Sequence, residues 1–222
     1  MLEDGQKGVI LQRDKETYAV APHMPCGLVT PETLRKIADV AEKHQAAMKI
    51  TSAARIAIIG LKEDQIDSVW EDLGMDPGAA VGLCVRSIKA CPGTGFCKRG
   101  MRDSLGLGLR LDKKYHGMEL PSKLKIGVSG CPHQCAESSI KDIGLVGSGN
   151  GWKVLVGGSA GSAPRMAEKL AVNVSDDDIE PLIEKIVEYY KENGRKNQRL
   201  GRMINQMGLD AFKQAIGLEP SA

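Results

Sequence analysis

The stretch KLKIGVSGCPHQCAES occupies residues 123–138, and its first half alternates charged and apolar residues before running into two cysteines. Alternation of this kind has the period of a β-strand, with Lys123 and Lys125 on one face and Leu124 and Ile126 on the other. The strand therefore ends on Cys131 and Cys135, spaced C-x3-C. Upstream, ACPGTGFC at residues 90–97 carries Cys91 and Cys97 as C-x5-C, again among glycines and a proline.

Zinc prefers tight knuckles with two to four residues between ligands, and C-x5-C is wide for that. A cubane iron–sulfur cluster separates its thiolates further, and glycines let backbone N–H groups approach the cluster sulfides. Spacing favours a 4Fe–4S cluster over zinc, with unliganded buried thiols as the bland alternative. Cys26 and Cys84 match neither pair and read as buried free thiols.

The chain has 222 residues, 42% of them hydrophobic and 26% charged, enough for one large or two small packed domains. A net charge of +2 is too balanced to argue for nucleic acid. No apolar run reaches membrane-spanning length and the acidic MLEDGQKGVI lacks a signal-peptide core, so a cytoplasmic protein is expected. In that compartment six cysteines point to metal ligation or buried thiols rather than disulfides.

VTPETLRKIADVAEKHQ predicts an amphipathic helix, with Thr30 as N-cap, Pro31 in the first turn and Leu34, Ile37, Ala38 and Ala41 on one face. MKITS and RIAIIGL predict strands, and KEDQIDSVWEDLG a second helix closed by Gly74. Later segments add FCKRGMRDSLGLGLRL as a helix weakened by glycines, DIGLVGS and WKVLVGG as strands, and SDDDIEPLIEKIVEYYKENG as a helix with a Ser175/Asp178 capping pattern. The C-terminal RLGRMINQMGLDAFKQAIG is helical with a break at Gly208. No Walker lysine or Rossmann order accompanies GLGLGL.

Taken together, ACPGTGFC, LPSKLKIGVSGCPHQCAESSIKDIGLVG and GWKVLVGGSAG resemble the sirohaem and 4Fe–4S domain of the sulfite and nitrite reductase family. Residues 23–61 resemble that family's ferredoxin-like half domain more loosely. In length the chain resembles the small assimilatory-type sulfite reductases of anaerobes, which carry one copy of a unit that larger enzymes contain twice. The resemblance implies an α+β fold: a half domain over residues 1–82 with an N-terminal extension, then a mixed α/β sirohaem and 4Fe–4S domain over 83–222.

It implies Cys91, Cys97, Cys131 and Cys135 as cluster ligands, with Cys135 shared with the sirohaem iron. Lys123, Lys125 and Arg86 match cations that meet the substrate or the haem carboxylates. Arg55 follows TSAA where the family shows Thr-Thr-Arg-Gln. It replaces the missing cation only if the site tolerates a displacement of about 7 Å along a strand. His133 stands where the family commonly has asparagine and is a candidate cluster or haem partner, or proton donor. Lys49, Lys89, Lys98, Arg99 and Arg102 read mainly as solvated charges. The implied reaction is six-electron reduction of sulfite, with nitrite as the alternative substrate and a sirohaem-free electron-transfer protein as the alternative class. A ferredoxin-like or other low-potential donor supplies the electrons. Either a homodimer or a monomer with an unusually open haem edge is expected, the homodimer being favoured because an open haem face leaves a large apolar patch in water.

Overall fold

The computed structural model describes residues 1–219 and divides the chain into two compact units, Met1–Gly82 and Leu83–Ala222.

In the first unit, β1 (Val9–Leu11), β2 (Tyr18–Val20), β3 (Ala47–Ile50) and β4 (Ile56–Leu61) form an antiparallel sheet in the order β1-β2-β4-β3. Helix α1 (Pro31–Lys43) starts as its sequence dictates: Thr30 Oγ1 accepts the Thr33 N–H at 3.1 Å, and Pro31 needs no partner for the N–H it lacks. Its buried stripe is Ile37, Val40 and Ala41, whereas Leu34, expected on that stripe, is exposed. Helix α2 (Ile66–Leu73) buries Ile66, Val69 and Leu73 and closes on Gly74 at φ +54°. These side chains join Val9, Tyr18, Val20, Ile58 and Leu61 in one apolar core. β1 and β2 carried no recognisable strand signal, being three residues each.

In the second unit, β5 (Val85–Ala90), β6 (Leu124–Ser129), β7 (Ile143–Ser148), β8 (Gly151–Val156) and β9 (Glu168–Val174) form one sheet in sequence order. The first three strands are parallel and the last two antiparallel. A single-turn helix, α3 (Gly93–Phe96), follows β5, and α4 (Ser104–Tyr115) begins only after Asp103 caps the Gly106 N–H. The expected helix from Phe96 is therefore late by eight residues. Helix α4 buries Leu107, Leu111 and Tyr115, and α5 (Ile179–Asn193) buries Ile179, Leu182, Ile183, Ile186, Val187 and Tyr190. Ion pairs Arg110–Glu180 and Lys114–Glu184 link the two helices. Ser175 accepts the Asp178 N–H just before α5 rather than capping the helix itself. Helices α6 (Leu200–Met207) and α7 (Leu209–Ala215) meet at Gly208, φ +88°.

The link from β6 to β7 crosses between parallel neighbours without an α-helix, having only a 3-10 turn at Ser138–Ile140. It lies directly on the sheet, because Gly127 and Gly144 face each other across the strands. A Cβ on Gly144 would stand 2.1 Å from the Ser138 oxygen, and one on Gly127 2.9 Å from that of Ala136. Ser138, fully buried, bonds the Gly127 and Leu145 carbonyls and the Ser129 hydroxyl, so the crossover is fastened where it touches the strands. The same loop holds Cys131 and Cys135.

Candidate active site

Parallel pairing of β5 and β6 brings both cysteine loops to one end of the sheet. The Cys91 N–H donates to Val128 O at 3.0 Å, placing Cys91 beside the end of β6. Met101 and Arg102 N–H groups both donate to the Gly130 carbonyl, at 2.8 and 3.1 Å, so the first loop is tied to the residue before Cys131. Only glycine fits at 130, where a Cβ would lie 2.7 Å from Arg102 O and 3.0 Å from Gly93 Cα. Arg102 is no solvated charge. Its guanidinium donates to Ser148 O, Gly149 O and Asp176, and Trp152 donates to the same carboxylate at 2.7 Å. That fork locks the loop to the β7–β8 turn.

All four thiols are outside disulfides. Cys131 is buried, Cys91 and Cys97 are half-buried, and Cys135 is exposed. The Gly130 N–H points at Cys91 Sγ (3.2 Å), and Ser104 Oγ lies 3.1 Å from it. Hydrogen bonds to a ligating sulfur favour its thiolate and tune what it holds. His133 is exposed on the second loop, with Nε2 3.2 Å from Arg99 Nη1. Cys26 and Cys84 are buried away from these loops in sequence and likewise unbridged.

The cations form a different group. Lys123 and Lys125 lie at the start of β6, and four residues of strand separate Lys125 from Ser129, about 13 Å at roughly 3.3 Å per residue. Here the Lys125 N–H donates to Asp142 Oδ2 at 2.8 Å, and Arg199 grips the same carboxylate through Nε (2.9 Å) and Nη2 (2.7 Å). Asp142 is 1% exposed; burial pushes its carboxyl up and Arg199 opposes the shift. Removing Arg199 alone strands a buried charge, a loss on the order of 3–5 kcal/mol for such pairs. Lys125 is held below the ordinary lysine value by burial first, then by Lys141, Lys123 and Arg199. Lys141 and Lys89 both pair with Glu137, at 2.7 and 3.2 Å, between this group and the cysteines. Arg86 is half-buried, at the irregularity where β5 slips against β6. Arg55 belongs to the first unit and lies in the turn before β4 rather than on a strand. It is buried, and a Cβ on Gly78 would approach its Nε to 3.1 Å.

The family model described as "Nitrite and sulphite reductase 4Fe-4S domain" matches residues 81–221, and "Nitrite/Sulfite reductase ferredoxin-like half domain" matches 10–75. The chain belongs to the nitrite and sulphite reductase family. It is 44% identical over 216 residues to the assimilatory-type sulfite reductase of Nitratidesulfovibrio vulgaris, covering 97% of this chain and 99% of that one. It is 39% identical to the nitrite reductase [NAD(P)H] of Bacillus subtilis, where the match covers 93% of this chain but 26% of the longer protein. Among solved structures it resembles dissimilatory sulfite reductase I (TM-score 0.81, 17% identity, 92% of this chain and 70% of that one). NirA of Mycobacterium tuberculosis has the same fold (TM-score 0.78, 17% identity, 99% and 46%).

This family's cofactors are a sirohaem and a 4Fe–4S cluster. The donor set of this nitrite and sulphite reductase family member fits the cluster. The two glycine-lined loops that carry the four cysteines lie at adjacent strand ends, with an N–H already aimed at one sulfur. Among the described residues, no helix is long and apolar enough to cross a membrane.

Proposed function

We propose that the protein reduces sulfite to sulfide in a six-electron reaction, taking electrons singly from a ferredoxin-like or other low-potential donor. The observation that carries this reading is the 44% identity to an assimilatory-type sulfite reductase over nearly the whole of both chains. Cys91, Cys97, Cys131 and Cys135 hold the cluster, and Cys135, the exposed thiol, is the one shared with the sirohaem iron. When bound, the two groups would relay the donor's electrons and offer an iron to the substrate. The chain's own part is charge and protons. Lys125 Nζ, with Lys123 and Arg86, neutralises the oxyanion and favours departure of its oxygens as water; His133 and Arg55 are the secondary candidates, for proton delivery and for carboxylate pairing.

β6 carries lysines at one end and cysteines at the other. For the lysines to face sulfite held at such a centre, two chains must combine, the lysines of each facing the thiolates of its partner. A two-fold homodimer does this with one interface used twice. Co-purified Lys125→Met and Cys135→Ser chains should then regain part of the activity that each lacks alone. Activity in a strict monomer, with no recovery on mixing, contradicts the arrangement.

Nitrite is the competing substrate, because the chain also matches nitrite reductases. Comparing kcat/KM for the two anions with one artificial donor tests the reading. Sulfite is expected to win, and preference for nitrite overturns it.

A further inference from the structure

Lys89 lies two positions before Cys91 on β5, and its Nζ is 3.2 Å from Glu137 Oε1 rather than free in solvent. Glu137 follows Cys135 by two positions, and its other oxygen takes Lys141 Nζ at 2.7 Å. One carboxylate therefore joins the strand that ends on Cys91 to the loop that carries Cys135.

The sheet prepares this contact. Lys89 pairs with Gly127 across β5 and β6, so its side chain rises on the face where Gly127 has none. The Lys141 stem lies in the space so left: a Cβ on Gly127 would stand 2.8 Å from Lys141 Cγ. Lys141 is 8% exposed, so its ammonium needs an anion, and Glu137 supplies it. Glu137 itself has φ +58° and ψ +37°, a left-handed conformation that costs energy in any residue but glycine. Gln134, on the other side of Cys135, is left-handed too at φ +51°, and Ser139 Oγ donates to its amide oxygen. The exposed Cys135 is thus bracketed by two strained residues, each tied down through its side chain. Strain that the surroundings maintain in this way belongs to positions held for function.

We propose that Lys89, Glu137 and Lys141 form a charge clamp that holds the Cys135 loop against β5 and sets the reduction potential of the cluster. Two ammoniums against one carboxylate leave a net positive charge beside both cysteine loops. Reduction adds a negative charge to the cluster, and a positive neighbour favours that state. The proposal rests on the assignment of Cys91, Cys97, Cys131 and Cys135 to the cluster, and it holds whichever anion is reduced.

The test is an anaerobic redox titration of the holoprotein without sulfite, following the cluster by electron paramagnetic resonance. Glu137→Gln keeps the size of the side chain and removes its charge. It should favour the reduced cluster at least about threefold, a rise of roughly 30 mV at 59 mV per tenfold for one electron. Lys89→Met and Lys141→Met keep the stems, and each should lower the potential by a similar amount. The double variant Lys89→Met/Glu137→Gln should return close to wild type. Opposite signs are the mark of charge, whereas a loosened loop would move every variant the same way. Lys191→Met, exposed in the last turn of α5, should leave the potential unchanged. The proposal is overturned if every variant stays within threefold of wild type, or if Glu137→Gln and the lysine variants shift in one direction. Where Glu137→Gln does not assemble the cluster, the two lysine variants decide, and either one failing to lower the potential overturns the clamp. Iron and acid-labile sulfide per chain separate the two assignments. Their absence from wild type overturns the cluster ligands and the clamp together; unmoved potentials with both present overturn the clamp alone.

Discussion

Cys135→Ser is expected to lose sirohaem and all sulfite turnover, because under the proposed assignment a serine hydroxyl does not replace the thiolate shared by cluster and haem. Cys135 is exposed, so its replacement removes almost no packing and the damage reads on the cofactors rather than on folding. Cys26→Ser and Cys84→Ser alter buried thiols outside the two loops and should keep both cofactors and activity, at some cost in stability. The check is haem absorbance per protein alongside sulfide production. Equal loss from Cys26→Ser would mean that the thiols are wrongly assigned.

Lys125→Met should retain cluster and sirohaem, accept electrons normally from an artificial donor, and reduce sulfite about 10²- to 10³-fold more slowly, the scale of about 2.7–4 kcal/mol for one preorganised donor. Methionine keeps the length and apolar bulk of the half-buried lysine and removes its charge. Oxygen departure builds negative charge, so the ammonium contributes more in the transition state than in the ground state. The pH profile gives a second reading. Burial and the neighbouring Lys141, Lys123 and Arg199 lower the Lys125 pKa. The protonated, active form is therefore lost as pH rises through a value below the ordinary 10.5. That alkaline limb should vanish in Lys125→Met. Lys123→Met should behave similarly, and Lys62→Met, at an exposed position before α2, should be neutral. Wild-type kinetics in Lys125→Met would return both lysines to ordinary surface charges.

The cysteine end of the site was legible because its information is local. A strand period, Gly-Pro loops and four thiols all fall within 91–135, and parallel pairing of β5 with β6 does the rest. The anchoring of the lysine end was not legible. Asp142 and Arg199 are 57 residues apart, and nothing in IKDIGLVG says which cation its acid will meet. Likewise, Gly127 and Gly144 show their purpose only when the strands pair and the crossover lies on them. Phe96–Asp103 looked helical by composition, but its backbone is spent on Gly130 and the 93–97 turn instead. Strand β9 was missed for a different reason. It is an edge strand with Leu170 alone fully buried, so EKLAVNV has no need of a continuous apolar face. Arg55 sat in the right neighbourhood but in a turn, where period-two reasoning about a strand face does not apply.

An anaerobic optical titration of the purified, reduced holoprotein with sulfite addresses the central claim most directly. Sirohaem bands should be present in the free protein and shift saturably as sulfite binds, and with excess artificial reductant one sulfide should form per six electrons the reductant loses. A protein without haem bands, or with bands that sulfite leaves unmoved while no sulfide appears, contradicts the claim.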